Sequence, residues 1–250
     1  MKLSEIETRA ADSVDKAKTK DQTKKLIEKI TEYQRIMYAQ SQYSLLIILQ
    51  GMDASGKDGV VQSVFSGVNP LGCRVQAFKK PSEIEIAHDF LWRIHQHTPP
   101  KGNIQIFNRS HYEDILVPQV HQLLPEKSIK KRQELINHFE QLLLENNTHI
   151  LKFYLHISQE EQHERLKERM TNPQKHWKHN DDDMKQSQKW DIYMNSYEGI
   201  FKNCSSPVAW NIIPSDQNWY KEFLVAQRIV DEFKKMDLKY PKMKKPVEKK

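Results

Sequence analysis

Gly51-Met52-Asp53-Ala54-Ser55-Gly56-Lys57 is the stretch from which the rest of the chain is read. It fits G-x-x-x-x-G-K, follows the apolar run Ser44–Leu49 and opens a helical pattern, the setting in which this motif carries meaning. Glycines let the backbone N–H groups of Gly51, Ala54, Ser55 and Gly56 turn inward as an anion nest. The following helix adds the positive end of its dipole, and Lys57 supplies a mobile charge for a transferring phosphate. The chain has seven glycines, and Gly51, Gly56 and Gly59 fall within nine residues. A tight turn with a chance lysine is the alternative, and the flanking strand and helix weigh against it. The residue after Lys57 is Asp58, where a hydroxyl that ligates Mg²⁺ is usual. Asp58 serves equally as a metal ligand or as a helix N-terminal carboxylate. Asp53, inside the loop among amide donors, reads as a metal ligand.

Outward from the loop, apolar runs alternate with helical patterns. Ser44–Leu49, Arg74–Phe78, Ile104–Phe107, Ile150–Ile157 and Val208–Ile213 read as strands, and residues 58–67, 83–96, 128–146 and 217–235 as helices. The nearly continuous apolarity of the first strand fits a parallel sheet covered on both faces, and the alternation is the α/β signature. Residues 1–43 hold no Gly or Pro, and Leu26, Ile30, Tyr33 and Met37 recur at helical spacing. They predict an amphipathic helical extension outside the core. Residues 158–201, between the fourth and fifth strands, are helical and crowded with charge and aromatics, the place of a lid. Residues 239–250 carry six Lys and two Pro and read as a disordered basic tail.

The 250 residues suffice for one such domain. The formal net charge of +6 points to an anionic partner without choosing among nucleic acid, membrane surface, nucleotide and polyphosphate. No apolar run approaches the ~20 residues of a membrane span, and MKLSEIETRA lacks the apolar stretch of a signal peptide. Cys73 and Cys204 have no metal-ligand spacing, so a cytoplasmic location with structural thiols is expected.

The third strand runs into Asn108-Arg109-Ser110-His111-Tyr112-Glu113-Asp114. Asn108 stands where a neighbouring strand normally delivers a carboxylate to the metal, and Arg109 offers a planar donor across the crevice. Glu113 reads as a helix N-terminal carboxylate. Lys79 and Lys80 follow the second strand at the edge where ligands of open sheets collect. Arg93 either pairs with Asp89 one turn away or meets phosphate. Arg165 and Arg169 share a helix face and suit one phosphate group, with Glu161, Glu164 and Glu168 as alternative surface partners. Trp190, Tyr193 and Tyr197 recur at helical spacing and read as packing.

Gly51–Gly59 (GMDASGKDG), Asn108–Asp114 (NRSHYED) and Lys175–Tyr193 (KHWKHNDDDMKQSQKWDIY) together resemble the type-2 polyphosphate kinases. So do Gly67–Cys73 (GVNPLGC), Phe78–Pro81 (FKKP), His88–Arg93 (HDFLWR) and Ile213–Tyr220 (IPSDQNWY). The likeness runs in order from about residue 33 to 240. It implies a P-loop kinase domain over 44–238: a five-stranded parallel sheet, helices on both faces and a helical lid. It further implies inorganic polyphosphate as donor, nucleoside mono- and diphosphates as acceptors, Mg²⁺ or Mn²⁺, and a homo-oligomer. Lys175 and Lys178 match the family's lid. Asn108 and Glu113 match the subgroup acting on both mono- and diphosphates, with Glu113 near the acceptor. The rivals are an ATP-dependent nucleotide or nucleoside kinase and, from another class, a basic module binding single-stranded nucleic acid, which predicts salt-sensitive oligonucleotide binding.

Overall fold

The computed structural model of the chain describes residues 2–243. Strand β1 (Ser44–Gln50) is buried along its whole length, and its side chains alternate between two cores. Leu46 and Ile48 enter one, while Leu45, Ile47 and Leu49 enter the other, as the period of two in a strand requires. Around it lie β2 (Cys73–Ala77), β3 (Ile104–Asn108), β4 (Thr148–His156) and β5 (Trp210–Pro214), in the order β2-β3-β1-β4-β5. Every pairing is parallel; Leu49 stands beside Asn108 on one side and Phe153 on the other. The five expected strands are all present.

One face is covered by α1 (Lys16–Gln40), α2 (Lys57–Val64) and α10 (Asn218–Phe233). Asp15 caps α1 by accepting the Lys18 N–H. Leu26, Ile30 and Met37 are buried, and Tyr33 stacks on Phe233 at 5.5 Å, so the apolar stripe of α1 is spent on α10. The other face carries α5 (Glu113–Val120), α6 (Glu126–Glu145) and α9 (Trp190–Asn203), reached through α7 (Gln159–Thr171) and α8 (Asp181–Ser187). Met194, Tyr197, Ile200 and Phe201 of α9 join the main core.

The helix expected over 83–96 is instead two short helices, α3 (Glu83–Ile86) and α4 (Trp92–His95). Between them the Asp89 carboxylate accepts the Leu91 N–H, a local bond that competes with the helix ladder. In this stretch Ile94 is fully buried, and Phe90 and Leu91 are half-buried against the same core. The basic tail expected over 239–250 lies mostly outside the described residues.

The topology creates one special crevice. The connection after β1 leads to β2 on one side, and that after β3 crosses to β4 on the other. The carboxyl ends of β1 and β3 therefore flank a switch point, where open α/β sheets bind ligands.

Candidate active site

Both motif loops start at that crevice. Gly51 follows β1 directly; a Cβ there would lie 2.8 Å from the Leu155 carbonyl oxygen, so close approach requires glycine. Ala54 (φ 65°) in this loop and Arg109 (φ 63°) after β3 are left-handed without being glycine. Such conformations cost energy and persist where surrounding structure enforces them.

The loops open on a cleft of about 900 Å³, lined by Asp53, Lys57, Asp58, Asn108, Arg109 and Arg169 among others. Lys57 is buried and curls back, donating to the carbonyls of Gly51 (2.8 Å) and Met52 (3.0 Å). Burial, reinforced by the Arg109 charge, lowers its pKa to about 8. Arg109 pairs with Asp53 and, at 3.4 Å, with Glu113; Glu113, then Asp53, hold its guanidinium charged against the effect of burial. Asp58 accepts from Asn108 (2.7 Å) and Lys178 (3.1 Å). Burial works against its ionisation, yet these two hydrogen bonds keep its pKa below the ordinary carboxylate value.

The opposite wall is α7 and the turn Pro173–Lys178. Arg169 pairs with Asp183 at 2.7 Å and Lys175 with Glu168 at 2.6 Å. Burial, then the charge of Asp53, raises the Asp183 pKa. Arg165 lines the cleft but donates to Glu161 (2.8 Å) and to the carbonyls of Ala54 (3.0 Å), Ser215 (2.9 Å) and Asp216 (2.8 Å). The two arginines expected at one phosphate thus hold different partners. Lys79 and Lys80 line the cleft, exposed and, among the described residues, without a carboxylate partner.

Residues 13–241 match the family described as polyphosphate kinase 2. The chain belongs to that family. It is 45% identical over 217 residues to the AMP/ADP-polyphosphate phosphotransferase of Meiothermus ruber, covering 86% of this chain and 81% of that protein. It is 38% identical to the ADP-polyphosphate phosphotransferase of Rhodopseudomonas palustris, over 86% of this chain and 79% of that one. The crystal structure of polyphosphate kinase 2 from Arthrobacter aurescens superposes with a TM-score of 0.95 at 34% identity, covering 99% of this chain and 90% of that chain.

Within this polyphosphate kinase 2 fold, four expected site residues, Gly51, Ser55, Arg93 and Glu113, stand outside the cleft lining. Arg93 is 5% exposed and donates to the Lys79 carbonyl (2.9 Å) and Asp114 (3.0 Å). It meets neither Asp89 nor the cleft, because its helix starts only at Trp92 and turns it inward. Glu113 lies behind Arg109, next to Tyr193 and Tyr197, whose hydroxyls burial and then nearby carboxylates keep protonated. Gly51 and Ser55 lie beneath the loop surface, with Ser55 fully buried.

Hard oxygen donors suit Mg²⁺, which takes one or two carboxylates and completes its shell with water and substrate oxygens. Asp53 and Asp58 both face the cleft and meet that requirement; among the described residues no group of three or more His, Cys, Asp or Glu could hold a metal. Asp53 keeps Oδ2 without a protein donor among the described residues, whereas both oxygens of Asp58 are taken.

Sequence reasoning missed Lys221 and Gln162. Lys221 has a fully buried amine that donates to the Ser55 carbonyl (3.2 Å) and Asn218 (2.8 Å). A signal existed: Lys221 shares the stripe of Val225 and Ile229 on α10, an odd place for a lysine.

Proposed function

We propose that the chain transfers the terminal phosphate of inorganic polyphosphate to a nucleoside mono- or diphosphate, AMP and ADP first and their guanine counterparts as well. The observation that carries this is the meeting of the Gly51–Lys57 loop and the Asn108–Asp114 motif at the switch-point crevice, in a chain so close to named polyphosphate phosphotransferases. Transfer is in line and reversible, with no covalent enzyme intermediate. The loop amides cradle the phosphate, while Lys57 and Arg109 stabilise charge on its equatorial oxygens. Asp53, with Asp58 beside it, would hold Mg²⁺. When bound, the ion neutralises charge on the phosphates.

Lys79 and Lys80 guide the polyanion in. Arg169, Lys175 and Lys178 exchange their carboxylate partners for phosphate as the part of the expected lid up to α8 closes, while its last helix, α9, stays packed in the main core. Asn108 and Glu113 are the neutral and acidic pair that admits both acceptor classes. The reaction belongs in the cytoplasm, where nucleotides are held, and Cys73 and Cys204 are free thiols. A homo-oligomer is part of this reading: Leu71, Val75, Ile84 and Ile86 are exposed near edge strand β2 and suit a second copy. Light scattering that finds only monomer at assay concentration removes that element.

The test is AMP or ADP with Mg²⁺ and polyphosphate, without ATP. Formation of the next higher phosphate supports the reading. Transfer only when ATP is supplied makes the chain an ATP-dependent kinase. Oligonucleotide binding without transfer makes it a nucleic-acid module.

A further inference from the structure

The phosphate loop is also gripped from outside. Five successive carbonyls, Gly51 to Ser55, each accept a hydrogen bond. Lys57 serves the first two. The other three are held from elsewhere in the fold: Asp53 by Gln162 Nε2 (3.1 Å), Ala54 by Arg165 Nη1 (3.0 Å) and Ser55 by Lys221 Nζ (3.2 Å). Gln162 and Arg165 are three apart on α7 and so share a face; Lys221 reaches across from α10. Gln162 is 1% exposed and Lys221 not at all.

The consequence follows from peptide geometry. In a trans peptide the C=O and the next residue's N–H point to opposite sides. A carbonyl pinned outward therefore turns the following N–H towards the nest. Asp53 and Ser55 so orient the amides of Ala54 and Gly56, which among the described residues have no protein acceptor. The Ser55 N–H is engaged within the loop by the Met52 carbonyl at 3.1 Å. The fit beneath the loop is close, since a Cβ on Gly56 would stand 2.1 Å from Lys221 Nζ. Burial, then the charge of Arg165, lowers the Lys221 pKa to about 7. An amine kept where folding disfavours its charge calls for a functional reason.

We propose that Gln162, Arg165 and Lys221 are positioning residues that hold the phosphate loop in its anion-binding form, and that α7 thereby couples the loop to Arg169 and the segment beyond it. The proposal rests on the reading that this loop binds the transferring phosphate. Helix α7 carries two of the three clamp residues and, one turn on, Arg169, so motion of α7 reaches the loop through hydrogen bonds rather than through the substrate.

The experiment compares the full-length protein with Lys221→Met and Gln162→Met, both of which remove a donor and keep apolar volume. Thermal midpoint, kcat, and KM for nucleotide are measured, with tripolyphosphate binding by calorimetry. Lys221→Met is expected to melt no lower than wild type at pH 7 yet lose about 10–100-fold in kcat, the scale of a misplaced reacting group, with nucleotide KM held. Gln162→Met shows the same split at about 3–10-fold, since one of three clamp bonds is a neutral one. Lys221→Arg does not rescue, for lack of room under Gly56. Wild-type kcat in both Met variants, whatever their midpoints, overturns the clamp; if Lys221→Met does not fold, Gln162→Met decides alone. If wild type itself transfers nothing, the functional reading fails separately. Tripolyphosphate binding then decides the clamp: weaker in the variants supports it, equal overturns it.

Discussion

Glu113 illustrates how one side chain acts through another. Its carboxylate reaches the cleft by way of Arg109, which it shares with Asp53. Removing it leaves Arg109 paired with Asp53 alone and, in the proposed reaction, shifts the guanidinium relative to the acceptor. Glu113→Ala is expected to change the ratio of kcat/KM for AMP and ADP by about 10-fold, the worth of one charge-assisted contact, with little change in apparent Mg²⁺ affinity. Kinetics for both acceptors across a Mg²⁺ titration check this; an equal fall for both acceptors with a moved metal dependence makes Glu113 part of the metal surroundings. Lys221 makes a second prediction, on stability. Its pKa falls from an ordinary 10.5 to about 7 in the fold, so between those values the unfolded chain binds more protons and stability rises with pH. The thermal midpoint of wild type minus that of Lys221→Met should therefore climb from pH 7 to pH 9. A flat or falling difference would mean that the amine is charged in the fold across that range.

Helix α7 does two jobs with one face. Gln162 and Arg165 engage the phosphate loop, and Arg169, one turn further, faces Asp183 across the cleft. In the proposed reaction, exchange of the Asp183 contact for phosphate on closure gives Arg169 a role in turnover as well as in binding. Arg169→Ala is expected to raise KM for polyphosphate and lower kcat together, for about a 100-fold loss in kcat/KM, as for other lost donors to developing charge. Steady-state kinetics at low salt check this, and unchanged values would mean that Arg169 stays with Asp183 throughout the cycle. Helix α9, by contrast, is anchored in the main core: Tyr197 packs on Tyr154 at 4.5 Å and Phe201 on Trp210 at 5.4 Å. The Trp190, Tyr193, Tyr197 spacing was legible as packing, but periodicity names no partner, and the partner here is the sheet.

Across the molecule, a buried ion pair ties the second motif to the scaffold. Lys152 on β4 donates to Glu140 of α6 (2.7 Å), the Tyr112 hydroxyl (2.9 Å) and the Cys204 carbonyl (2.7 Å), all fully buried. Lys152→Met leaves the Glu140 charge without its partner and should cost about 3–5 kcal/mol. Lys152→Met with Glu140→Leu should recover much of that loss, because two desolvated charges disappear together. Urea unfolding checks both, and a single variant as stable as wild type would show that Glu140 takes up a proton at little cost.

Short-range chemistry was written plainly in the chain. The five strands, the glycine-framed loop after β1 and the arginine after β3 all rest on alternation, glycine placement and residue order, which act between near neighbours and survive in one dimension. Pairings were not so written. Arg93 finds Asp114 rather than Asp89, Asp58 finds Lys178 at 120 positions' distance, and Lys221 comes to lie under Gly56. Each of these depends on how the sheet order brings distant loops to one edge, and a charged side chain takes whichever partner that packing leaves within about 3 Å, the reach of a hydrogen bond. The kind of chemistry is therefore local in origin, while the geometry that tunes it belongs to the packed fold.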